Sequence, residues 1–189
     1  NRILTNSVFA SHRTTYPQTI LGSSQGTPNQ SFRFNRGPVL EGQSLVIQES
    51  EKPSDTELRT IMEQEGEDAF QDASGSGYLV RWHEVDSLYE SDSKSRHYVK
   101  DISTGEITFG DGVHGMIPPK GDRNIIATSY QVGGGVHGNV PSNAITVLKK
   151  SLSFIGDVSN PFPASGGADL EDIEDIKRRG PHSIKSRDR

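Results

Sequence analysis

Apolar and polar positions alternate with a period of two through much of the chain, the pattern of half-buried strands. In the first 48 residues, Ile3, Leu4, Val8 and Phe9 mark one apolar run and Ile20-Leu21-Gly22 a second. Ser31-Phe32-Arg33-Phe34-Asn35 alternates cleanly, Gly37-Pro38 punctuates it, and Gly42-Gln43-Ser44 leads into Leu45-Val46-Ile47. Strands are also expected at Tyr78–Trp82, Arg96–Lys100, Glu106–Phe109, Ile125–Val132 and Ala144–Leu148. Ser103-Thr104-Gly105 joins two of these as a hairpin, with glycine placed for a left-handed bulge. Strands at this spacing, separated by Gly, Pro and Asn loops, predict a mainly β fold: an antiparallel sandwich or partly open barrel.

A helical period appears twice. Ser54-Asp55-Thr56-Glu57 has capping-box spacing, in which the serine accepts from the N3 amide and the glutamate reaches back. Leu58, Ile61, Met62, Ala69 and Phe70 then share a face, interrupted at Gly66, and Ser74-Gly75-Ser76-Gly77 reads as a flexible joint. The second helix is expected to start from Asp169 as N-cap, with Leu170, Ile173 and Ile176 in one stripe. Acids lead and bases trail along it, as the helix dipole favours, and Gly180-Pro181 stops it. So narrow a stripe needs a partner, either the β domain or a following segment. The division expected is 1–48 as strands of the same β domain, 49–77 as an inserted acidic helix with its joint, 78–165 as the main β domain, and 166–189 as the terminal helix with the start of a following segment.

Composition narrows the classes. With 31% hydrophobic residues and 13 aromatics in 189 residues, the core suffices for one domain of roughly 100–150 residues plus arms. There is no cysteine, which removes disulfide scaffolds, thiol nucleophiles and thiolate metal sites and fits assembly in a reducing cytosol. No apolar run is long enough to span a bilayer, and no secretion signal stands at the start. The net charge of −5 argues against nucleic-acid binding. That acidity is local: between Glu51 and Asp72 eight acids face only Lys52 and Arg59, which leaves the remainder near +1. This run reads as a solvated face. The chain begins at Asn1 without an initiator Met and stops at Arg189, so a piece of a longer polypeptide is expected.

Candidate chemistry is sparse. Gly133-Gly134-Gly135-Val136-His137-Gly138 fits G-x-G-x-x-G, but Asn139-Val140-Pro141 follows where a phosphate-binding helix would have to open, so the run reads as a crossover between strands. Asp101–Gly112 lacks the sixth-position glycine and twelfth-position glutamate of a calcium loop. Asp111 and His114, held among Gly110, Gly112 and Gly115, form either a metal or ligand loop or a tight turn in which Asp111 bonds nearby amides; the turn is preferred. The six histidines contain no H-x-x-x-H pair, and no serine sits in G-x-S-x-G. Trp82 is expected as a core or interface anchor. No cofactor and no catalytic set are expected, so the chain reads as a non-enzyme.

One longer string is specific. Trp82-His83-Glu84-Val85-Asp86-Ser87-Leu88, Arg96-His97-Tyr98-Val99 and Thr104 through Gly115 resemble the baseplate J-like family of putative baseplate assembly proteins. The likeness continues through Ile117-Pro118-Pro119, Tyr130 with the triple glycine, Gly138-Asn139-Val140-Pro141, Asn160-Pro161, Ala164 and Gly166-Gly167-Ala168 into the acidic helix. It covers residues 78–189 in order, with Gly37-Pro38-Val39-Leu40 matching more weakly. The helix at 54–72 matches no family pattern, and Gly180-Pro181 stands where members usually have Ala-Pro.

The resemblance implies a wedge component in the baseplate of a contractile phage tail or phage-tail-like injection particle, assembled in the cytoplasm. It would join other wedge subunits and neighbouring copies in a ring, with no nucleic acid and no membrane insertion, and the fragment alone would be a monomer or weak dimer. Contact or loop-shaping roles then fall on Trp82, Phe109, Gly110, Asp111, Gly112, Gly115, Pro118, Pro119, Gly133, Gly134, Gly135, Gly138, Asn139, Pro141, Leu170, Ile173 and Ile176. In that reading the three loop glycines adopt angles a Cβ forbids and Pro118-Pro119 stiffen the exit. The alternative is a carbohydrate- or receptor-binding β module of a tail or surface fibre; a third reading is a hydrolase using Asp111 and His114.

Overall fold

The computed structural model describes residues 7–150 and 152–169. The chain divides into two compact units: Arg13–Gly133, and Asn1–His12 together with Gly134–Arg189. Among the described residues no helix is long and apolar enough to cross a membrane.

The first unit is mainly β. In chain order it contains β1 (Arg13–Tyr16), β2 (Thr19–Ser24), β3 (Ser31–Arg33), β4 (Ser44–Glu49), α1 (Asp55–Glu65), β5 (Phe70–Asp72), β6 (Tyr78–Glu84), β7 (His97–Asp101), β8 (Glu106–Phe109) and β9 (Gly121–Gly133). The strands form one curled mixed sheet, a partly open barrel, in the order β1-β9-β4-β6-β7-β8-β3, with β2 also on β9 and β5 also on β6. β6 and β7 run parallel, and the other pairs are antiparallel.

Alternation sets the core. On β4, Leu45 and Ile47 point inward, with Leu45 opposite Trp82 and Ala127, and Ile47 opposite Val80 and Ile125. Trp82 meets Phe109 edge-on, with centroids 5.3 Å apart at 86°, the arrangement ring quadrupoles favour. The β7–β8 hairpin forms as the sequence predicts, with Gly105 at φ +68° and Asp101 Oδ1 accepting the Ser103 and Thr104 amides.

α1 begins with the expected capping box between Ser54 and Glu57 and sets Ile61 into the core. It ends at Glu65, because Gly66 takes φ +92°. Phe70 therefore does not continue the helical face. It lies on β5 and stacks on Tyr78 across the hairpin, 5.6 Å between centroids. Ser74–Gly77 is the turn of that hairpin, closed by Ala73 N–H to Gly77 O at 3.0 Å, and not a free joint.

The second unit has little regular structure among its described residues. Ala144–Leu148, expected as a strand, forms none, and Ile145, Val147 and Leu148 are exposed. Val8 and Phe9 are fully exposed and irregular as well, while Ile3 and Leu4 lie outside the described residues. So does the expected terminal helix beyond Asp169, with Leu170, Ile173 and Ile176.

Candidate functional site

The loop between β8 and β9 is built from close backbone approach. A Cβ on Gly110 would lie 2.1 Å from the Gly115 carbonyl oxygen, so only glycine lets the two ends of this loop pack. Gly112 N–H donates to Gly115 O, Gly115 N–H to Asp92 O and Met116 N–H to Ser95 O. Asp111 Oδ1 accepts from the amides of His114 (2.7 Å) and Val113 (2.8 Å). Those two bonds, that from His114 first, hold the carboxyl down at about 2. His114 Nδ1 lies 3.5 Å from Asp111 Oδ2, and its ring stacks on Tyr89, which is 81% exposed. Asp111 and His114 are thus the two ends of a tight turn with an aromatic tip. Among the described residues no group of three or more His, Asp or Glu is placed to hold a metal ion.

Five residues singled out from sequence as contact or loop positions are interior: Trp82, Phe109, Gly110, Gly115 and Pro118. Trp82, Phe109 and Pro118 are essentially inaccessible, which excludes them as direct contact residues. At the exit of this loop the Pro118 carbonyl accepts from Ser24 Oγ at 2.8 Å, and that of Pro119 from Asn124 Nδ2 at 2.9 Å.

In the second unit the triple glycine is followed by one short 3₁₀ turn, Val136–Gly138, and no phosphate-binding helix. Val136 N–H donates to Asp169 Oδ1 at 2.9 Å. Asn139 pairs with the backbone of Gly167 in both directions at 2.8 Å, beside the Val140–Ala164 bridge. Gly167 must be glycine here, since a Cβ would meet the Gly135 carbonyl oxygen at 2.3 Å. Asn160 completes the set, donating to the carbonyls of Pro141 and Phe162 and accepting from Ile145 N–H. The segments 134–145 and 160–169, singled out separately in the sequence, are knit together by two asparagine side chains.

Sequence reasoning missed the polar groups inside the first unit. Glu49 occupies an inward position on β4 and receives Trp82 Nε1 (3.1 Å) and a bidentate grip from Arg96, both bonds 2.9 Å. Arg96 also reaches Glu57 Oε1 at 3.3 Å, fastening the capping box of α1 to the start of β7. Burial works against the Arg96 charge, but its bonds to Glu49 and the nearby Glu57 carboxylate outweigh this and raise its pKa. Bonds from Ser54 hold Glu57 low. The available signal was the spacing of Leu45, Ile47 and Glu49, which puts an acid on an inward face.

Beside this brace, His83 and His97 are opposite residues of the parallel pair, with ring centroids 5.6 Å apart. His83 Nδ1 meets Glu65 at 2.6 Å, and His97 Nδ1 meets the Ser91 hydroxyl at 2.8 Å. A cleft of about 220 Å³ lies here along α1, lined in part by Thr56, Thr60, Gln64, Lys94 and His97. Of its charged groups, which also include Asp92 and Lys94, Glu57 and Arg96 are paired with each other. A third cluster joins Gln43, Glu84, Tyr98 and Lys100. Compared with protein-family models, curated proteins and solved structures, the chain matches none of them.

Proposed function

We propose that this chain is a structural component of a contractile-tail or injection-particle baseplate wedge, working through contacts with other subunits and carrying out no catalysis on a substrate. The observation that carries the reading is the ordered string of motifs from Trp82 to Ala168, which resembles the baseplate J-like family. The placement of apolar side chains is consistent with it. In the second unit Val147, Leu152, Phe154, Ile155 and Phe162 are exposed, on a segment ordered by asparagine bonds, as suits a surface that neighbours cover. A ring of repeated wedges needs such heterologous contacts, each burying on the order of 1,000 Å² or more.

The test is electron microscopy of particles purified from the source, with this chain carrying an added density tag. Tag density in the baseplate, in the copy number of the wedges, is the expected result; particles that assemble fully without the chain overturn the proposal. The sugar-binding alternative would draw on exposed rings such as Tyr89, Phe154 and Phe162, since the single tryptophan is buried in the core. Binding of a defined glycan at micromolar concentration would favour that alternative.

A further inference from the structure

Beyond the assembly reading, and independent of it, stands the cluster where the start of β4, the end of β6 and the middle of β7 meet. Alternation along β7 turns Tyr98 and Lys100 inward, and the Lys100 side chain is 1% exposed. Its ammonium group donates to the Gln43 side-chain carbonyl at 2.6 Å and meets the Glu84 carboxylate at 3.1 and 3.3 Å. Gln43 Nε2 in turn donates to the same Glu84 carboxylate and, at 3.3 Å, to the Tyr98 hydroxyl. Burial pushes the Tyr98 phenol well above its ordinary pKa, so the hydroxyl stays protonated.

One carboxylate therefore touches both an amine and the amide nitrogen that this amine would displace. These contacts hold the parts of an acyl transfer together: the nucleophile is hydrogen-bonded to the oxygen of the amide it would attack, and one acid–base group touches nucleophile and leaving group alike. We propose that Lys100 and Gln43 form an intramolecular isopeptide bond, with Glu84 moving the protons.

Glu84 takes a proton from Lys100 Nζ, and the neutral amine attacks Gln43 Cδ. Glu84 passes that proton to Nε2, takes the second proton that Nζ must shed once it is bonded to Cδ, and relays it to the same nitrogen as the tetrahedral intermediate collapses. The Nζ–Cδ bond forms, the Cδ–Nε2 bond breaks, and the nitrogen leaves as ammonium, carrying two Nζ protons and the positive charge. Nothing is oxidised or reduced, and no co-reactant is needed. Glu84 is 37% exposed on its side chain, so ammonium has a path to water. The reaction occurs once per chain and ties β4 to β7 across β6 covalently, in a protein that has no cysteine for disulfides.

Intact-mass spectrometry of the folded chain tests this. The expected mass is about 17 Da below that of the sequence, the ammonia lost in the acyl transfer. A proteolytic map should show a branched peptide joining the Gln43 and Lys100 segments, with no tryptic cleavage at Lys100. Lys100→Arg and Glu84→Gln should each restore the full mass while circular dichroism shows the native sheet. If a variant fails to fold, the branched peptide of the parent chain decides. A folded parent chain that keeps its full mass after prolonged incubation at neutral and mildly alkaline pH overturns the proposal, as does a 17 Da loss without the branched peptide.

Discussion

The two units are ordered by different physics. In Arg13–Gly133 the buried hydrophobic side chains, all but Val46 and Ile126, form one cluster around the curled sheet. In the other unit no hydrophobic side chain among the described residues is buried. Its turns are held by Asn139, Asn160 and Asp169 bonding to backbone groups. Removing apolar surface from water gives roughly 25 cal/mol per Å², whereas an exposed hydrogen bond exchanges with water for about 1 kcal/mol net. The first unit thus has its own reason to fold. The second has a defined path, and its apolar residues among those described stay out of any core.

The sharpest way to break the comparison is to strike the core. Trp82→Ala removes the ring packed on Phe109 and the donor to Glu49. It should lower the stability of the sheet unit by about 3–5 kcal/mol, measured by urea unfolding followed by circular dichroism. A similar loss is expected from Arg96→Met, about 3–5 kcal/mol, because Glu49 would be left buried without its cation. Adding Glu49→Gln should recover more than half of that, since the amide oxygen still accepts from Trp82 Nε1. If the double variant is no better than the single one, the pair holds the fold in some way other than charge compensation.

These two variants also mark where sequence reading stops. Tyr78–Glu84, the β7–β8 hairpin and the Ser54 capping box were legible because each signal is local: alternation, a glycine at a turn, a serine three residues before a glutamate. The Glu49–Arg96 pair joins residues 47 apart in the chain, and no local pattern encodes that contact. Ala144–Leu148 failed for the opposite reason. Its β-branched residues suit a strand, but strand propensity reflects packing against neighbours, and among the described residues no strand lies beside it. Phe70 left the helical face because Gly66 ended the helix, and its stacking on Tyr78 sits across a hairpin that the glycine-rich joint concealed. In the candidate loop the Asp111 turn was legible, whereas the burial of Pro118 depends on Ser24, 94 residues away.

In the second unit the same scale of surgery should do something else. Asn160→Ala deletes three hydrogen bonds to backbone groups, each worth about 1 kcal/mol. The unfolding midpoint of the sheet unit should stay within about 0.5 kcal/mol of the parent, because the site lies outside its core. Limited proteolysis should instead accelerate between residues 140 and 165. A shift in the sheet unit's midpoint as large as that of Trp82→Ala would show that the two units fold as one and would erase the contrast.

The smallest effect sharpens the account of the sheet unit from its titration. Burial, and then the neighbouring His83, hold the pKa of His97 below its ordinary value of 6.5, with Asp92 pulling the other way. The Ser91 hydroxyl and the Gln64 amide complete the surroundings of the ring. The folded protein prefers the neutral imidazole, so as pH falls below 6.5 the unfolded chain takes up this proton first. Stability should therefore be independent of His97 above about pH 7 and decline as the pH drops from there through the lowered folded pKa. His97→Gln removes the titrating group while keeping a polar side chain at Ser91, so its stability curve should be flatter across that window. The neighbouring His83, which meets Glu65 at 2.6 Å, is the same in parent and variant. Only the difference between parent and variant isolates His97. Curves that run parallel from pH 7 to pH 5 would mean that the His97 ring titrates alike in the folded and unfolded chains, and that its position beneath α1 carries no electrostatic cost.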